Sequence, residues 1–473
     1  MRKKILSVLL CTAMTVGMLT GCGSGSDQSK DGGNSAASST EETPIPTNAV
    51  AGDAEADDAF VIWGWNEDIQ KILDGPFKED NPEDYKRIVF VNTAGSDFYQ
   101  AKLDEILSDK DNDLYPDLVG LEADYVLKYV KDPEFLLSVE ELGIKESDYA
   151  NQYSYNLDLG TDDEGEVKAL FWQATPGSWQ VRADLCKQYL GTTNPAELQK
   201  KYFSSWEKIL AAAEAINEAS KGRVKLLSGY TDVFRVFSNA RKTGWYDSKD
   251  KGDTQAIQVD DQMKQYMDVA KKMYEGELTF NTEQWSTDWN ANMVGNGKET
   301  NAALAYTGCP WFTYWSLGGD GEEHPNPWIE NTILLEGPQK FYWGGTGLAA
   351  TAGCADKELA GKIIRYFTCE TKSMIKINAL NSDFVNNKEA VERVKNTATC
   401  DKMFPDAKQN FMEFYLPNAD GIDASTVTAE DQDINSMWDA QVKEYVQGNK
   451  DEESAINEFK AMVHDKYHYL TEE

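Results

Sequence analysis

The chain has 473 residues, of which 41% are hydrophobic, 27% charged and 11% aromatic. That profile excludes a collagen, a mostly disordered chain and a multi-span membrane protein, and the length suits about two to four domains. Acidic residues number 80 against 46 basic ones, for a net charge of −34, which repels phosphate backbones and argues against nucleic acid as a partner.

The chain opens on Arg2, Lys3 and Lys4, followed by an apolar stretch from Ile5 to Leu19. The stretch is too short for a spanning helix and reads as a secretory signal over residues 1–21. Leu19, Thr20, Gly21 and Cys22 resemble a bacterial lipobox, which implies that Cys22 is lipid-modified and becomes the first mature residue. Residues 23–59 are rich in Gly, Ser, Asp, Ala, Thr and Pro. Such a segment cannot bury enough surface to offset its ordering entropy, so a flexible tether with a reach of roughly 33 Å is expected. The body is therefore expected outside the cell membrane, held to its outer face by acyl chains.

Phe60 to Trp65 reads as a strand, Asp68 to Glu79 as a helix, and Arg87 to Asn92 as a second strand. A helix over Phe98–Ser108, a strand over Pro116–Leu121 and a helix over Tyr125–Lys131 follow. This alternation predicts βαβ units around a sheet covered on both faces. Val167–Gln173 reads as a strand, Val181–Tyr189 as a helix, and Ser205 caps a long helix to Ala219. Helices are then predicted over Asp261–Tyr274, Glu283–Met293 and Trp311–Leu317, with strands at Val224–Ser228, Ala302–Thr307 and Phe341–Ala350. The chain closes with helices over Lys357–Phe367, Glu370–Ala379, Asp431–Val446 and Glu452–Tyr467. The expected fold class is α/β with two lobes, whose facing strand ends would form a ligand cleft.

No nucleophile elbow, phosphate loop or zinc-protease motif is present, and there are three His and no Cys-x-x-Cys spacing. Neither a catalytic residue nor a metal or cofactor is assigned. His464 and His468 share a helix face, but two ligands make a weak metal site. After removal of Cys11 and lipidation of Cys22, Cys186, Cys309, Cys354, Cys369 and Cys400 remain in the body. They read as small buried side chains, with Cys354 and Cys369 the pair to check for a bridge. The 13 Trp carry more information. A Trp ring offers an apolar face and one N–H donor, which suits the C–H face of a pyranose whose hydroxyls need polar partners at the rim. Most Trp in any chain are core, and Trp63 and Trp315 are expected to be buried. Trp65 stands at a strand end before Asn66, Glu67 and Asp68.

Several segments, in this order along residues 60–470, resemble the carbohydrate-type extracellular solute-binding proteins of bacterial ABC transporters (family 1, maltose-binding-protein-like lipoproteins). Phe60–Glu67 (FVIWGWNE) looks like their first strand and sugar-contacting loop. Pro116–Tyr125 resembles the "PD" strand and its polar sequel, and Ser205–Glu207 the "T-W-E-E" helix start. Ala302–Trp311 is similar to the "A-M-x-x-x-G-P-W" turn, and Trp343–Gly347 to a hinge strand. Ala355–Ala360 looks like the "S-x-N-K-E-L-A" helix start, and Met437 and Trp438 fall where the family places a late cleft aromatic.

The resemblance implies a two-lobed, type II periplasmic-binding-protein-like fold, with sheets flanked by helices and joined by hinge strands. The lobe boundaries it suggests are 60–172 with 346–386 for the first lobe and 173–345 with 387–473 for the second. It implies a monomer that captures a neutral oligosaccharide and passes it to a membrane permease, without catalysis. Trp65, Trp311, Trp343 and Trp438 are the candidate stacking walls; Asn66, Glu67, Asp124, Tyr230 and Asp232 are candidate hydroxyl partners. Asp97 either caps its helix or binds, and Arg182 is expected in a structural ion pair. The rival readings are a surface glycoside hydrolase, a binding protein for a non-sugar solute, and a sensor or adhesion protein without transport.

Overall fold

The structure is a computed structural model that describes residues 48–49, 58–93, 96–112, 114–249, 252–294, 301–317, 329–396 and 403–472. The signal segment, Cys22, most of the tether and Cys400 lie outside these residues. So does the side chain of Asp97, whose backbone lies in the helix Ser96–Leu107.

The first lobe is built on a six-stranded sheet. Its order is Asn48–Ala49, Ile88–Asn92, Phe60–Gly64, Leu118–Glu122, Thr346–Ala350, Ala169–Phe171. The strands Ile88–Asn92, Phe60–Gly64 and Leu118–Glu122 run parallel, with Phe60 opposite Ile88 and Ile62 opposite Leu118. Their near-continuous apolar sequence fits a sheet buried on both faces, and every residue of Phe60–Gly64 is buried. Thr346–Ala350 returns antiparallel between Leu118–Glu122 and Ala169–Phe171. The Pro-Asp motif has a physical role here. Asp117, buried at the strand start, accepts hydrogen bonds from the backbone N–H of Val61 (2.9 Å) and of Ala355 (3.1 Å). One side chain thus joins the two central strands to the segment leading into the helix Lys357–Thr368.

The second lobe centres on three antiparallel strands, Ala305–Gly308, Ser178–Arg182 and Thr332–Leu335, with Ser178–Arg182 in the middle. The predicted helix over Val181–Tyr189 is corrected in part, since Val181 and Arg182 belong to this strand and helical structure starts at Ala183. Around it pack Trp206–Ser220, capped by Ser205 Oγ, Asp261–Glu275, capped by Asp260, and the closing helices Asp431–Val446 and Glu452–Lys466. Arg182 pairs with Asp184 at 2.6 Å, the structural ion pair expected of it.

Two large hydrophobic cores correspond to the two lobes. Both receive side chains from the chain beyond residue 387. Ala390, Val391, Phe411, Met412, Tyr415 and Ile422 pack in the first core, while Phe404 and Ala407 pack against the second. Ile434, Trp438 and Val442 then lie in the second core. Residues 174–178 and 341–345 cross between the lobes side by side. Gly177 N–H donates to Phe341 O (2.6 Å) and Trp343 N–H to Thr175 O (3.1 Å). Cys186, Cys309, Cys354 and Cys369 are free and buried, so Cys354 and Cys369 form no bridge.

Candidate functional site

The carboxyl ends of the parallel strands face the second lobe. Trp65 follows Phe60–Gly64 there, and its ring leans on Tyr99 with centroids 5.3 Å apart. Asn66 spends its side-chain oxygen on a turn, accepting from Asp68 N–H at 3.0 Å, and Glu67 is exposed beside Lys71. Leu118–Glu122 delivers Glu122 and, two residues on, Asp124 to the same edge. Glu122 Oε2 accepts from Asp124 N–H at 2.8 Å. Burial, reinforced by the adjacent Asp124 charge and opposed by Arg235, pushes the Glu122 carboxyl up to about 8.

The second lobe answers with aromatic rings. The helix Pro310–Trp315 carries Trp311 and Trp315, the crossing strand carries Trp343, and the loop before Thr287–Val294 carries Trp285. Trp285 is 5.7 Å from Trp343, 6.0 Å from Trp315 and 6.3 Å from Trp311, near parallel to the last. Trp311 is fixed by its Nε1–H, which donates to Trp343 O at 3.1 Å. Trp285 and Trp315 remain 42% and 39% exposed, among the few large apolar side chains so placed. The expectation that Trp315 is buried is therefore corrected: one helical turn after Trp311 it points out to the rim. Trp285 also holds a left-handed backbone (φ 65°). A bulky side chain at positive φ is strained, and such strain clusters at ligand-contacting positions.

Gly344 and Gly345 permit this arrangement. Both have positive φ (65° and 115°), and a Cβ on Gly344 would stand 3.0 Å from Glu122 Oε1. The Trp343-led glycine pair thus lets the hinge pass directly against the acidic strand end.

Asp124 is tied across the cleft by a two-pronged ion pair with Arg235, whose Nη1 lies 2.6 Å from Asp124 Oδ1. The same guanidinium lies 5.3 Å over the Trp343 ring. A cavity of about 320 Å³ is bordered by Asp124, Thr231, Arg235, Arg241, Glu283 and Asp439 among others.

Trp65, Asn66, Glu67, Asp124, Trp311 and Trp343 are thus gathered at the lobe–lobe boundary. Three expected ligand partners are not. Trp438 is 0% exposed in the second core, between Trp245 and Phe459 at 5.5 and 5.0 Å, because its helix turns that face inward. Asp232 is buried and already occupied, accepting from Gly229 N–H (2.9 Å) and Trp289 Nε1–H (2.8 Å); burial raises its carboxyl to about 6. It acts one layer down, anchoring the Trp289 ring on which Trp285 leans at 5.0 Å. Tyr230 packs in the second core near Tyr274. Trp285, Glu122 and Arg235 were not assigned from sequence. Trp285 fell inside the helix expected over Glu283–Met293, which starts only at Thr287, so its loop position was not legible; nothing local marked the other two. His464 and His468 are engaged locally, with Nδ1 atoms 2.7 Å from Leu470 O and 3.1 Å from His464 O. Among the described residues no cluster of three or more metal-ligating side chains occurs, and no helix is long and apolar enough to cross a membrane.

The architecture is that of the two-lobed, periplasmic-binding-protein-like class. No protein-family model matches the sequence, and no curated protein matches it significantly. Solved structures do match. An extracellular solute-binding protein family 1 structure aligns with a TM-score of 0.70 at 16% identity, covering 86% of this chain and 99% of its own. An ABC-transporter-associated binding protein from B. animalis subsp. lactis, in complex with beta-1,6-galactobiose, aligns with a TM-score of 0.65 at 15% identity, covering 88% and 99%. The galacto-N-biose-/lacto-N-biose I-binding protein of the ABC transporter from Bifidobacterium longum, in complex with lacto-N-biose, aligns at 0.66 and 13% identity, covering 87% and 98%. At these identities the likeness is one of fold.

Proposed function

We propose that the protein is the extracytoplasmic binding component of an ABC importer. It captures a neutral oligosaccharide between its lobes, hands it to a membrane permease, and is held to the outer face of the cell membrane through Cys22. The observation that carries this reading is the set of Trp285, Trp311, Trp315 and Trp343 rings, two of them exposed, beside Glu122 and Asp124 at the lobe boundary. Flat apolar faces with acceptors at the rim suit a pyranose. Two of the fold neighbours are described as complexes with disaccharides, which supports the same ligand class. A hydrolase would need carboxyl groups flanking the glycosidic bond. Glu122 and Asp124 instead come from one strand end, and Asp124 is committed to Arg235.

The test is a titration of residues 60–473 with a panel of neutral oligosaccharides, following tryptophan fluorescence and melting temperature. A ligand of the native state raises the melting temperature with concentration. A shift with one glycan class and no product by chromatography is expected. Absence of any shift across the panel would sink the carbohydrate assignment, and turnover would favour the hydrolase.

A further inference from the structure

Trp285 stands in an exposed loop, yet its backbone is held at φ 65°. A bulky residue keeps such a conformation only where its surroundings over-determine it. What holds it lies underneath. The loop rests on the segment around Ser228: the Ser228 and Thr282 hydroxyls are 2.7 Å apart, and Phe280 N–H donates to Ser228 O at 2.9 Å. From this segment the buried Asp232 carboxylate reaches both sides of Trp285. It hydrogen-bonds the side-chain amide of Gln284, the residue before Trp285. It also accepts from Nε1–H of Trp289, whose ring is 5.0 Å from that of Trp285. Asp232 itself is fixed from two further sides, accepting from Gly229 N–H at 2.9 Å on its carboxylate and from Thr307 Oγ1–H on its backbone carbonyl.

We propose that Asp232 is a positioning residue for the aromatic wall: its carboxylate sets the Trp285 ring through Gln284 and Trp289, so that the grip on a stacked sugar follows the charge on Asp232. The sugar half rests on the carbohydrate reading above and deepens it; the loop half stands without that reading. Hydrogen bonds to a carboxylate are stronger than those to a neutral carboxyl, so protonation slackens both holds at once. Burial raises that protonation to about 6, against the opposing effect of the three donors. The ionisable groups packed around Asp232 are tyrosines that burial keeps protonated: Tyr306 on Ala305–Gly308, Tyr266 on Asp261–Glu275 and Tyr230 on its own turn. Arg182 acts on Tyr306 from beyond, and Asp439, also raised to about 6 by burial, accepts from Tyr266 Oη–H at 3.1 Å. The Glu283–Lys443 pair lies past Asp439. Loss of the Asp232 charge as pH falls through about 6 is therefore expected to loosen Trp285 and weaken sugar binding.

The test places 5-fluorotryptophan in the full chain and follows the fluorine resonances of Trp285 and Trp289, assigned through Trp285→Phe and Trp289→Phe, from pH 7.5 to 5. Both resonances are expected to move together with a midpoint near 6. They should stay still in Asp232→Asn and keep moving in Asp439→Asn, the control for the other buried acid. Gln284→Ala with Trp289→Phe removes both donors and keeps the carboxyl; it is expected to silence Trp285, and it answers the question should Asp232→Asn not fold. A Trp285 resonance that is silent in wild type, or that still moves in Asp232→Asn, overturns the proposal. Calorimetric titration with β-1,6-galactobiose, lacto-N-biose and maltose reads the sugar half. For a disaccharide that binds, wild-type affinity is expected to fall about fivefold between pH 7 and 5, and Asp232→Asn to be weaker at pH 7 by about that factor and flat across the range. Equal pH profiles in the two proteins overturn the coupling to the sugar. Moving resonances with no binding of any of the three sugars uphold the positioning of Trp285 and count against the carbohydrate reading.

Discussion

The tryptophans divide by what surrounds them, and two of them give opposite expectations. Trp438 fills the second core against Trp245 and Phe459, with no exposed surface. Trp438→Ala removes a large buried ring and is expected to destabilise the protein by about 3–5 kcal/mol. Trp285 is 42% exposed and its backbone is strained. Trp285→Ala is expected to cost stability less than about 1 kcal/mol and to weaken glycan binding about tenfold, through loss of a stacking face. Urea unfolding and glycan titration of both variants decide the matter. A Trp438→Ala protein of wild-type stability, or a Trp285→Ala protein of wild-type affinity, contradicts this division. Sequence did not separate the two: Trp438 was expected at the cleft and Trp285 was not assigned. A strand-end position placed Trp65 beyond Phe60–Gly64, where its ring leans on Tyr99. Trp438 sits on a helix, where either face can carry an aromatic, and only the packing of Asp431–Val446 against the second core decides which face is inside.

Among the elements, the strand Leu118–Glu122 and the glycine turn after Trp343 act as a pair. The turn lets the hinge approach Glu122, and that approach deprives the carboxyl of water. Its ordinary value is 4.5 and its native value is about 8. The native state therefore keeps a proton that the unfolded chain releases. Stability from this group is complete below about 4.5 and is lost as pH rises through about 8, with a slope near 1.4 kcal/mol per pH unit for one proton. Glu122→Gln removes the titrating group while its amide oxygen can still accept from Asp124 N–H. The expected result is a flatter fall of stability between pH 5 and 8 in the variant, read by chemical unfolding at fixed pH steps; identical pH profiles would refute the buried-acid account. The first-lobe strands were legible because a sheet covered on both faces needs unbroken apolar runs. The strand Ser178–Arg182 was read partly as helix, since Val181 and Leu185 are spaced by a helical turn. The amphipathic stretch Phe411–Ala419 shows in sequence which face it buries, not that the first core receives it.

At the scale of the whole molecule, the polar links between the lobes among the described residues include two at the cleft. Asp124 in the first lobe grips Arg235 in the second, and Gln100 Nε2 donates to Gln432 Oε1 at 3.0 Å. Neither link is buried; the ion-pair side chains are 26% and 31% exposed. Such a pair contributes about 1 kcal/mol, although its two-pronged geometry places it at the stronger end. A difference of about 1 kcal/mol changes an open–closed ratio about fivefold. Asp124→Asn keeps the shape of the side chain and removes its charge. Without ligand the variant is expected to populate the open arrangement more, and the radius of gyration from small-angle scattering should exceed that of wild type. A saturating glycan contacts both lobes and supplies a closing energy independent of the ion pair. The two proteins should then converge on one compact value, with the variant needing a higher glycan concentration to reach it. Equal radii without ligand would show that the ion pair does not bias closure. A larger radius that persists at saturation would show that Asp124 is required for the closed geometry itself.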